Sequence, residues 1–474
     1  MRKNKLTRLL QSLDSAAWNR FQDFVASPYF SGQSAHIAFL KALGHHWPEF
    51  EVDKESVFRQ AFPEQPYADK QFRYLSSDLT RLMEQFLAIE WYRQQPQRQD
   101  LDTLRALAER GLDKEYAHVQ RRILDALEER PEHDVAYYED QYRLSIIQQR
   151  QFELARHRAY DPSLQRATDY LDRGYFLRKL KYGCAMLDRQ QVIQGQYDPK
   201  LTSELIHHIE QMDFFGEQVI FYYYNVLLAL QEEDNEAHYD RLRVLLRTPP
   251  DKVPRGELRD LYFFVINYCA RKIRKGKDRF VREALDFYRE GIDRGLLLDQ
   301  GQLSPWTYTN VVKLSLRQKE YDWIKSFIRD MAPLLPETYR SDALHYNLAE
   351  TYYYTREHGK ALEHLNQVHM SDLNFHLGSR VLLAKVYYEE GEEEALLSLI
   401  AAFTMFLKRN KKLSQTIKKT YLNFCRMLFR ILKRKTGQWG DLAEALRTTR
   451  LLTDRQWLME VLEREADETV RWSS

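Results

Sequence analysis

Residues 347–368 read NLAETYYYTREHGKALEHLNQV, and the fold prediction rests on them. Each half of the stretch places apolar residues three or four positions apart, which is the spacing of one face of an α-helix. Those positions are Leu348, Ala349 and Tyr352 in the first half and Ala361 and Leu365 in the second. A polar joint at His358-Gly359 separates the two halves. The stretch therefore predicts two short helices packed as a hairpin.

The next stretch along the chain, LLAKVYYEEGEEEALLSLI at 382–400, repeats this pattern. Leu383, Ala384 and Tyr387 follow their counterparts in the first stretch by 35 positions. In this spacing and in the order of small and large residues, residues 340–400 resemble the tetratricopeptide repeat, whose period is about 34 residues. The resemblance implies a solenoid of helical hairpins with a concave groove for a peptide.

The remaining sequence favours an all-α protein. Apolar spacing of three and four recurs in almost every window, and strand-like alternation is nearly absent. Asp161-Pro162 and Asp198-Pro199 each place an N-cap residue before a proline at the first helical position, which predicts two helix starts. FQDFVASPYF (21–30), KALEHL and FLKRNKKLS also resemble segments of an uncharacterised group of bacterial helical-repeat proteins, which implies an architecture and no activity.

Two regions of the chain differ in how often prolines and polar runs interrupt the helical pattern. The first 95 residues are interrupted by prolines, as in FPEQPY at 62–67. The polar run 94–99 around Pro96 then loses apolar periodicity, which is typical of a linker. We predict a small helical N-terminal module at 1–95 and a degenerate tetratricopeptide-like α-solenoid at 96–474, with its best-defined repeats at 305–435.

Composition argues against several broad classes of protein. The chain has 474 residues, of which 44% are hydrophobic and 30% charged, as in an ordered protein. Its formal net charge of +2 gives no bulk argument for a nucleic-acid or membrane partner. The start lacks an apolar core of signal-peptide length, and the longest apolar run, at 219–230, is too short to span a bilayer. Three scattered cysteines fit a reducing compartment, so we expect a cytoplasmic protein.

No motif in the sequence predicts catalysis. Phosphate-binding glycine loops, the hydrolase nucleophile motif and the HExxH zinc motif are all absent from the sequence. His358, His364, His369 and His376 cluster in the sequence, but they span a joint and a loop rather than one helical face. Each cysteine has apolar neighbours, as a buried thiol does. We therefore predict no enzyme activity, no cofactor and no metal.

A polar residue recurs inside the predicted first helices. Asn225, Asn267, Asn310 and Asn347 follow one another at spacings of 42, 43 and 37 residues. Asparagine is unfavourable inside a helix, so its recurrence calls for a reason. One interpretation is a ladder of amides that bind a peptide backbone in the groove, helped by Lys313 and Lys385. The other is that each amide bridges helices within the scaffold, and the sequence leaves both open.

The segment at 406–435 is strongly basic and contains no acidic residue. A helix starting near Ser414 would bury one apolar face and present a cationic stripe on the other. The basic patch of the segment comprises Lys408, Arg409, Lys411, Lys412, Lys419, Arg426, Arg430 and Lys433. Three interpretations remain: a face balanced by nearby acidic residues, a surface for an acidic protein, and a surface for nucleic acid.

Together these patterns predict a non-catalytic scaffold. Its concave groove would bind a peptide or an extended segment of another protein, with aromatic and apolar contacts for affinity. Asn and Lys side chains would set the register of the bound chain. The alternative function is nucleic-acid binding through the basic helix at 406–435.

Overall fold

The computed structural model is helical almost throughout. It describes residues 4–154, 159–190, 196–211, 218–247, 253–369, 372–411, 413–433 and 439–473, with side chains up to residue 466. This part of the chain forms 23 α-helices, one 3-10 turn and one pair of two-residue strands. The all-α class is therefore confirmed for the described residues. The chain divides into two compact units, Met1–Lys179 and Leu180–Ser474.

The first unit begins with a core rich in phenylalanine. Its helices are α1 (Lys5–Gln11), α2 (Ser15–Ala26), α3 (Ser34–Gly44), α4 (Lys54–Ala61), α5 (Asp69–Arg93), α6 (Pro96–Glu109), α7 (Asp113–Glu128) and α8 (Val135–Leu154). Residues between Leu6 and Phe86 share one hydrophobic cluster that includes Phe21, Phe39 and Phe72. The next helix, α9, spans Pro162–Gln190.

The predicted linker at 94–99 is mostly helix. Because α5 ends at Arg93 and α6 begins at Pro96, only two residues separate the helices. A proline is accepted in the first helical turn, where its missing N–H leaves no hydrogen bond unmade. The compact unit continues to Lys179, and the division of the chain at residue 95 stays a prediction.

The second unit contains the end of α9, from Leu180 onward, and the other helices. They are α10 (Thr202–Gln211), α11 (Gln218–Gln231), α12 (Ala237–Arg247), α13 (Arg255–Arg274), α14 (Arg279–Asp293), α15 (Pro305–Arg317), α16 (Tyr321–Met331), α17 (Glu337–Tyr354), α18 (His358–Leu365), α19 (Leu373–Glu389), α20 (Glu393–Arg409), α21 (Gln415–Leu432), α22 (Trp439–Thr448) and α23 (Arg455–Ser473). Strands β1 (Leu298–Asp299) and β2 (Gln302–Leu303) pair antiparallel. The 3-10 turn is Ala332–Leu334. Among the described helices, none combines the length and the apolar composition that crossing a bilayer requires.

Helices of the second unit pack chiefly against their neighbours in the chain. From α13 to α20, each helix contacts the one that follows it. In addition, α17 contacts both α15 and α19. These three odd-numbered helices therefore lie side by side, and their adjacent faces form most of the candidate site.

The predicted hairpin is present as α17 packed against α18. Ala349 and Ala361 are fully buried in one apolar cluster, where small side chains let two helices approach closely. The joint lies one turn earlier than the predicted His358-Gly359, because α18 already begins at His358. Arg356 ends the first helix, since its left-handed backbone (φ +64°) cannot continue a right-handed helix.

The two predicted helix starts have different outcomes. At the start of α9, the Asp161 carboxylate accepts a hydrogen bond of 2.8 Å from the Ser163 N–H, as an N-cap does. The start at Asp198-Pro199 is wrong, because α10 begins only at Thr202. Leu201 has a φ of +62°, which separates the proline from the helix that follows.

Candidate functional site

A polar cavity lies in the second unit, where odd-numbered helices meet. Its volume is about 320 Å³, and it is lined by α15, α17, α19 and α21 together with the loop between α22 and α23. Its charged lining residues are Lys313, Arg317, Glu350, Lys385 and Asp454. We call this space the polar cavity.

Lys385 enters the polar cavity from α19 as a buried, paired cation. The residue is 9% exposed, and its ammonium group forms an ion pair with the Asp454 carboxylate. The same ammonium lies 5.5 Å from the ring centroid of Trp457 and 5.9 Å from that of Tyr353. A buried cation needs a partner of this kind, because removing a charge from water is costly.

Glu350 enters the cavity from α17 with one oxygen unsatisfied. Its Oε2 is buried and accepts no hydrogen bond within the described part of the chain. Burial raises the pKa of Glu350 above its ordinary value, and the positive charges of Lys313 and Lys385 offset only part of that rise. A buried acceptor without a donor costs about 1–3 kcal/mol, so a ligand that supplies a donor would recover that energy.

Lys313 and Arg317 reach the cavity from the exposed face of α15. The Lys313 ammonium lies 5.9 Å from the ring centroid of Tyr346 and forms no ion pair with the described carboxylates. Arg317 donates a hydrogen bond of 2.9 Å to Asp278. The cavity therefore holds one cation and one carboxylate oxygen that are both available to a ligand.

Three tyrosines form much of the remaining wall. Burial raises the pKa of Tyr354 to about 12, with further contributions from the negative charges of Glu350 and Asp454. Burial also raises the pKa values of Tyr346 and Tyr421 above their ordinary range. All three phenols are therefore protonated near neutral pH and can donate a hydrogen bond while their rings pack against apolar groups.

Two of the asparagines predicted to face a groove are completely buried. The Asn225 Nδ2 donates to the carbonyl of Phe221 at 2.8 Å in its own helix. The Asn347 Nδ2 donates to the Ala343 carbonyl at 2.7 Å and to Thr309 Oγ1 at 3.1 Å, which ties α17 to α15. Both residues are 0% exposed, so these contacts favour the scaffold interpretation at these two positions.

The other two asparagines are exposed but also bind within the chain. Asn267 Nδ2 donates to Asp188 Oδ2 at 2.9 Å, and Asn310 Nδ2 donates to the Tyr288 hydroxyl at 3.2 Å. None of the four asparagines, all of which the structure describes, lines the polar cavity. Of the residues selected from the sequence, the cavity brings together Lys313 and Lys385.

Several cavity residues were not selected from the sequence. Glu350 lies four positions after Tyr346 and four before Tyr354, so a carboxylate between two tyrosines on one helical face was a usable signal. Asp454 has no such signal. It meets Lys385 from a loop 69 positions later in the chain, and that contact depends on tertiary packing.

The basic segment forms an exposed surface at the end of α20 and along α21. The Ser414 side chain caps α21 by accepting a hydrogen bond of 3.3 Å from the Ile417 N–H, which confirms the predicted helix start. The exposed cations of the segment are Lys408, Arg409, Lys411, Lys419, Arg426, Arg430 and Lys433. Lys412 lies outside the described residues.

Few ion pairs among the described side chains involve this segment. Within the described side chains, the basic segment has one ion pair, between Lys433 Nζ and Glu393 Oε1 at 2.8 Å. Glu389 instead pairs with Arg464 at 2.9 Å. Glu390 lies 2.5 Å from His358 Nδ1. Internal balance, one of the three sequence interpretations, therefore applies to Lys433 alone among the described cations.

Other reactive groups lie away from the polar cavity. Burial raises the pKa of Cys269 to about 12 and that of Cys425 to about 11, so both thiols are protonated near neutral pH. His345 and His364 face each other with their Nδ1 atoms 2.9 Å apart, and burial lowers both pKa values. The described residues contain no group of three or more His, Cys, Asp or Glu side chains placed to hold a metal ion.

Comparison with known proteins adds no family assignment. No known protein family, no curated protein and no solved structure matches this chain.

Proposed function

We propose that the second unit is an α-solenoid of tetratricopeptide-like hairpins that binds a peptide or an extended segment of another protein without catalysing a reaction. Packing of each helix on the next from α13 to α20 supports this arrangement, because stacked repeats contact chiefly their neighbours. The observation that carries the binding proposal is the polar cavity, with its unsatisfied carboxylate oxygen on Glu350.

The groups in the cavity complement those of a peptide. Glu350 Oε2 would accept a hydrogen bond from a backbone N–H or an ammonium group of the bound segment. The Lys313 ammonium would donate to a carbonyl or a carboxylate of the same segment. Rings of Tyr346 and Tyr354 would bury an apolar side chain, and their hydroxyls would donate hydrogen bonds to the bound segment. One cavity thus offers an acceptor, a donor and an apolar wall.

The bound segment would extend beyond the cavity. A volume of about 320 Å³ accommodates only a few side chains, so it serves as an anchor rather than as the whole binding surface. On α15, the exposed Asn310 lies one turn before Lys313 on the same helical face. A chain anchored at Glu350 would continue along this face of α15.

Binding is favoured over catalysis by the protonation states of the lining groups. The cavity tyrosines have raised pKa values and stay neutral near pH 7, which makes them poor nucleophiles and poor bases. Lys385 is already engaged in an ion pair with Asp454. No described lining residue is a cysteine, a serine or a histidine.

Selection of random peptides displayed on phage against the full chain tests the proposal. Enriched peptides should bind in solution, and Glu350→Gln should weaken their affinity about tenfold by removing a charged acceptor. Lys313→Met should weaken binding similarly. The matched controls are Glu363→Gln and Lys277→Met, which change exposed residues outside the cavity and should leave affinity unchanged.

The selection also has an outcome that rejects the proposal. Peptides that bind the two cavity variants and the two controls with equal affinity would place binding elsewhere on the chain. Absence of any enriched peptide above the background of an unrelated helical protein would reject peptide binding altogether.

A further inference from the structure

A second surface of the chain is independent of the polar cavity. Six exposed cations lie at the end of α20, in the loop that follows and on α21, and we call them the basic face. They are Lys408, Arg409, Lys411, Lys419, Arg426 and Arg430. None of the six forms an ion pair with a described carboxylate, and Arg426 donates a hydrogen bond of 2.9 Å to Asn423 Oδ1.

Half of the basic face lies on α21, a helix that is anchored in the hydrophobic core. The opposite side of α21 is buried in the core through Phe424, Leu428 and Ile431. At 100° per residue, Lys419, Arg426 and Arg430 fall within about 40° of one another, and they extend over about 16 Å of helix. The six cations of the basic face could neutralise about five phosphates of a bound strand.

Two large nonpolar side chains lie among these cations. Phe429 is 47% exposed and follows Arg426 by one helical turn, about 60° around α21 from it. Met405 is 45% exposed and precedes Lys408 by one helical turn on α20. An exposed ring beside cations offers a base a surface for stacking, which is the usual combination in proteins that bind single strands. Acidic side chains themselves carry no aromatic ring that could stack on Phe429.

Other polyanions fit the surface less well. The apolar side of α21 is buried in the core, and Phe429 alone among its described large nonpolar side chains is exposed, which is too little apolar surface for a helix that inserts into a membrane. The segment carries no known base-reading motif, so the contacts would be with phosphates and with base faces rather than with base edges. From the charge, the spacing and the exposed ring, we infer that the basic face binds single-stranded nucleic acid without sequence preference.

Fluorescence anisotropy with a labelled poly-uridine RNA of about 20 nucleotides tests this inference on the full chain. The logarithm of the binding constant should fall linearly with the logarithm of salt concentration, with a slope of about −3 to −4 for five phosphates. The combined variant Lys419→Gln, Arg426→Gln, Arg430→Gln should bind at least about tenfold more weakly and reduce that slope by about two.

A single substitution separates stacking from charge. Phe429→Ala should weaken RNA binding by about tenfold while leaving the salt slope unchanged, because a ring contributes stacking and releases no counterions. The control carries the same change of charge on exposed residues elsewhere, as Arg241→Gln, Lys319→Gln, Arg329→Gln. It should retain the affinity and the slope of the natural chain. Thermal unfolding of each variant verifies that the fold is intact.

Three outcomes would overturn the inference. Poly-glutamate that competes as well as the RNA, together with no effect of Phe429→Ala, would make the surface one for acidic proteins. Tighter binding to a duplex of the same length, or to anionic lipid vesicles, would assign it to those partners. Equal losses of RNA affinity in the control variant and the basic-face variant would mean that binding depends on the net charge of the chain and not on the basic face.

Discussion

Charged side chains meet opposite conditions in the polar cavity and on the basic face. In the cavity, Lys385 is shielded from water and Asp454 balances its charge. On the basic face, six cations are exposed and no described carboxylate pairs with them. Lys385 therefore has a counterion where water is excluded, whereas the six exposed cations are solvated by water, as the cost of desolvation requires.

Removing the counterion in the cavity should have the largest effect on stability. Asp454→Ala leaves the Lys385 ammonium buried without a partner, and we expect the free energy of unfolding to fall by about 3 kcal/mol. Urea denaturation followed by circular dichroism measures this change. The double variant Asp454→Ala, Lys385→Met removes both charges and should recover much of the loss.

An exposed lysine–carboxylate ion pair beside the basic face provides the control for the buried pair in the cavity. Lys433 and Glu393 are about half exposed and lie 2.8 Å apart. Glu393→Ala should therefore lower the free energy of unfolding by less than about 1 kcal/mol, because water and salt screen an exposed pair. If Asp454→Ala and Glu393→Ala lowered the free energy of unfolding equally, burial would not distinguish the two ion pairs.

The asparagines offer a second, smaller contrast between covered and exposed polar groups. Asn347→Ala should lower the free energy of unfolding by about 1.5 kcal/mol, since Thr309 Oγ1 loses its buried donor. Asn310→Ala should change it by less than about 0.5 kcal/mol, because the side chain is exposed. A stable Asn347→Ala variant that binds selected peptides poorly would instead favour the groove interpretation.

Local features of the fold were readable from the sequence because they depend on near neighbours in the chain. The hairpin of α17 and α18 and the start of α21 near Ser414 both follow from apolar spacing. The wrong joint at His358-Gly359 shows the limit of such reasoning. The left-handed residue that ends the first helix is Arg356, and the apolar spacing gives no reason to select it.

The cavity was only partly readable, because its residues meet through tertiary packing. Lys313 and Lys385 were selected from their register in the helices, and both line the cavity. The same register also selected Asn225 and Asn347, which are fully buried. Helical spacing shows which residues share a face, whereas the rotation of each helix against its neighbours decides whether that face is covered.

The smallest effect concerns the unsatisfied carboxylate of Glu350 and depends on pH. Its pKa is raised in the folded chain above the ordinary value of about 4.5. Below that ordinary value, the folded and unfolded chains both carry the proton, and the charge costs nothing. As pH rises further, the unfolded chain loses the proton first, so the stability of the fold decreases until the folded pKa is passed.

Glu350→Gln removes this cost because the amide has no charge to desolvate. We expect the variant to be more stable than the natural chain by about 1 kcal/mol at pH 7 and equally stable at pH 4, measured by urea denaturation at both values. Glu363→Gln, an exposed control, should show no such difference. A loss of stability at pH 7 would mean that Glu350 is held by donors in the folded chain, and the cavity would then lack the free acceptor on which peptide binding depends.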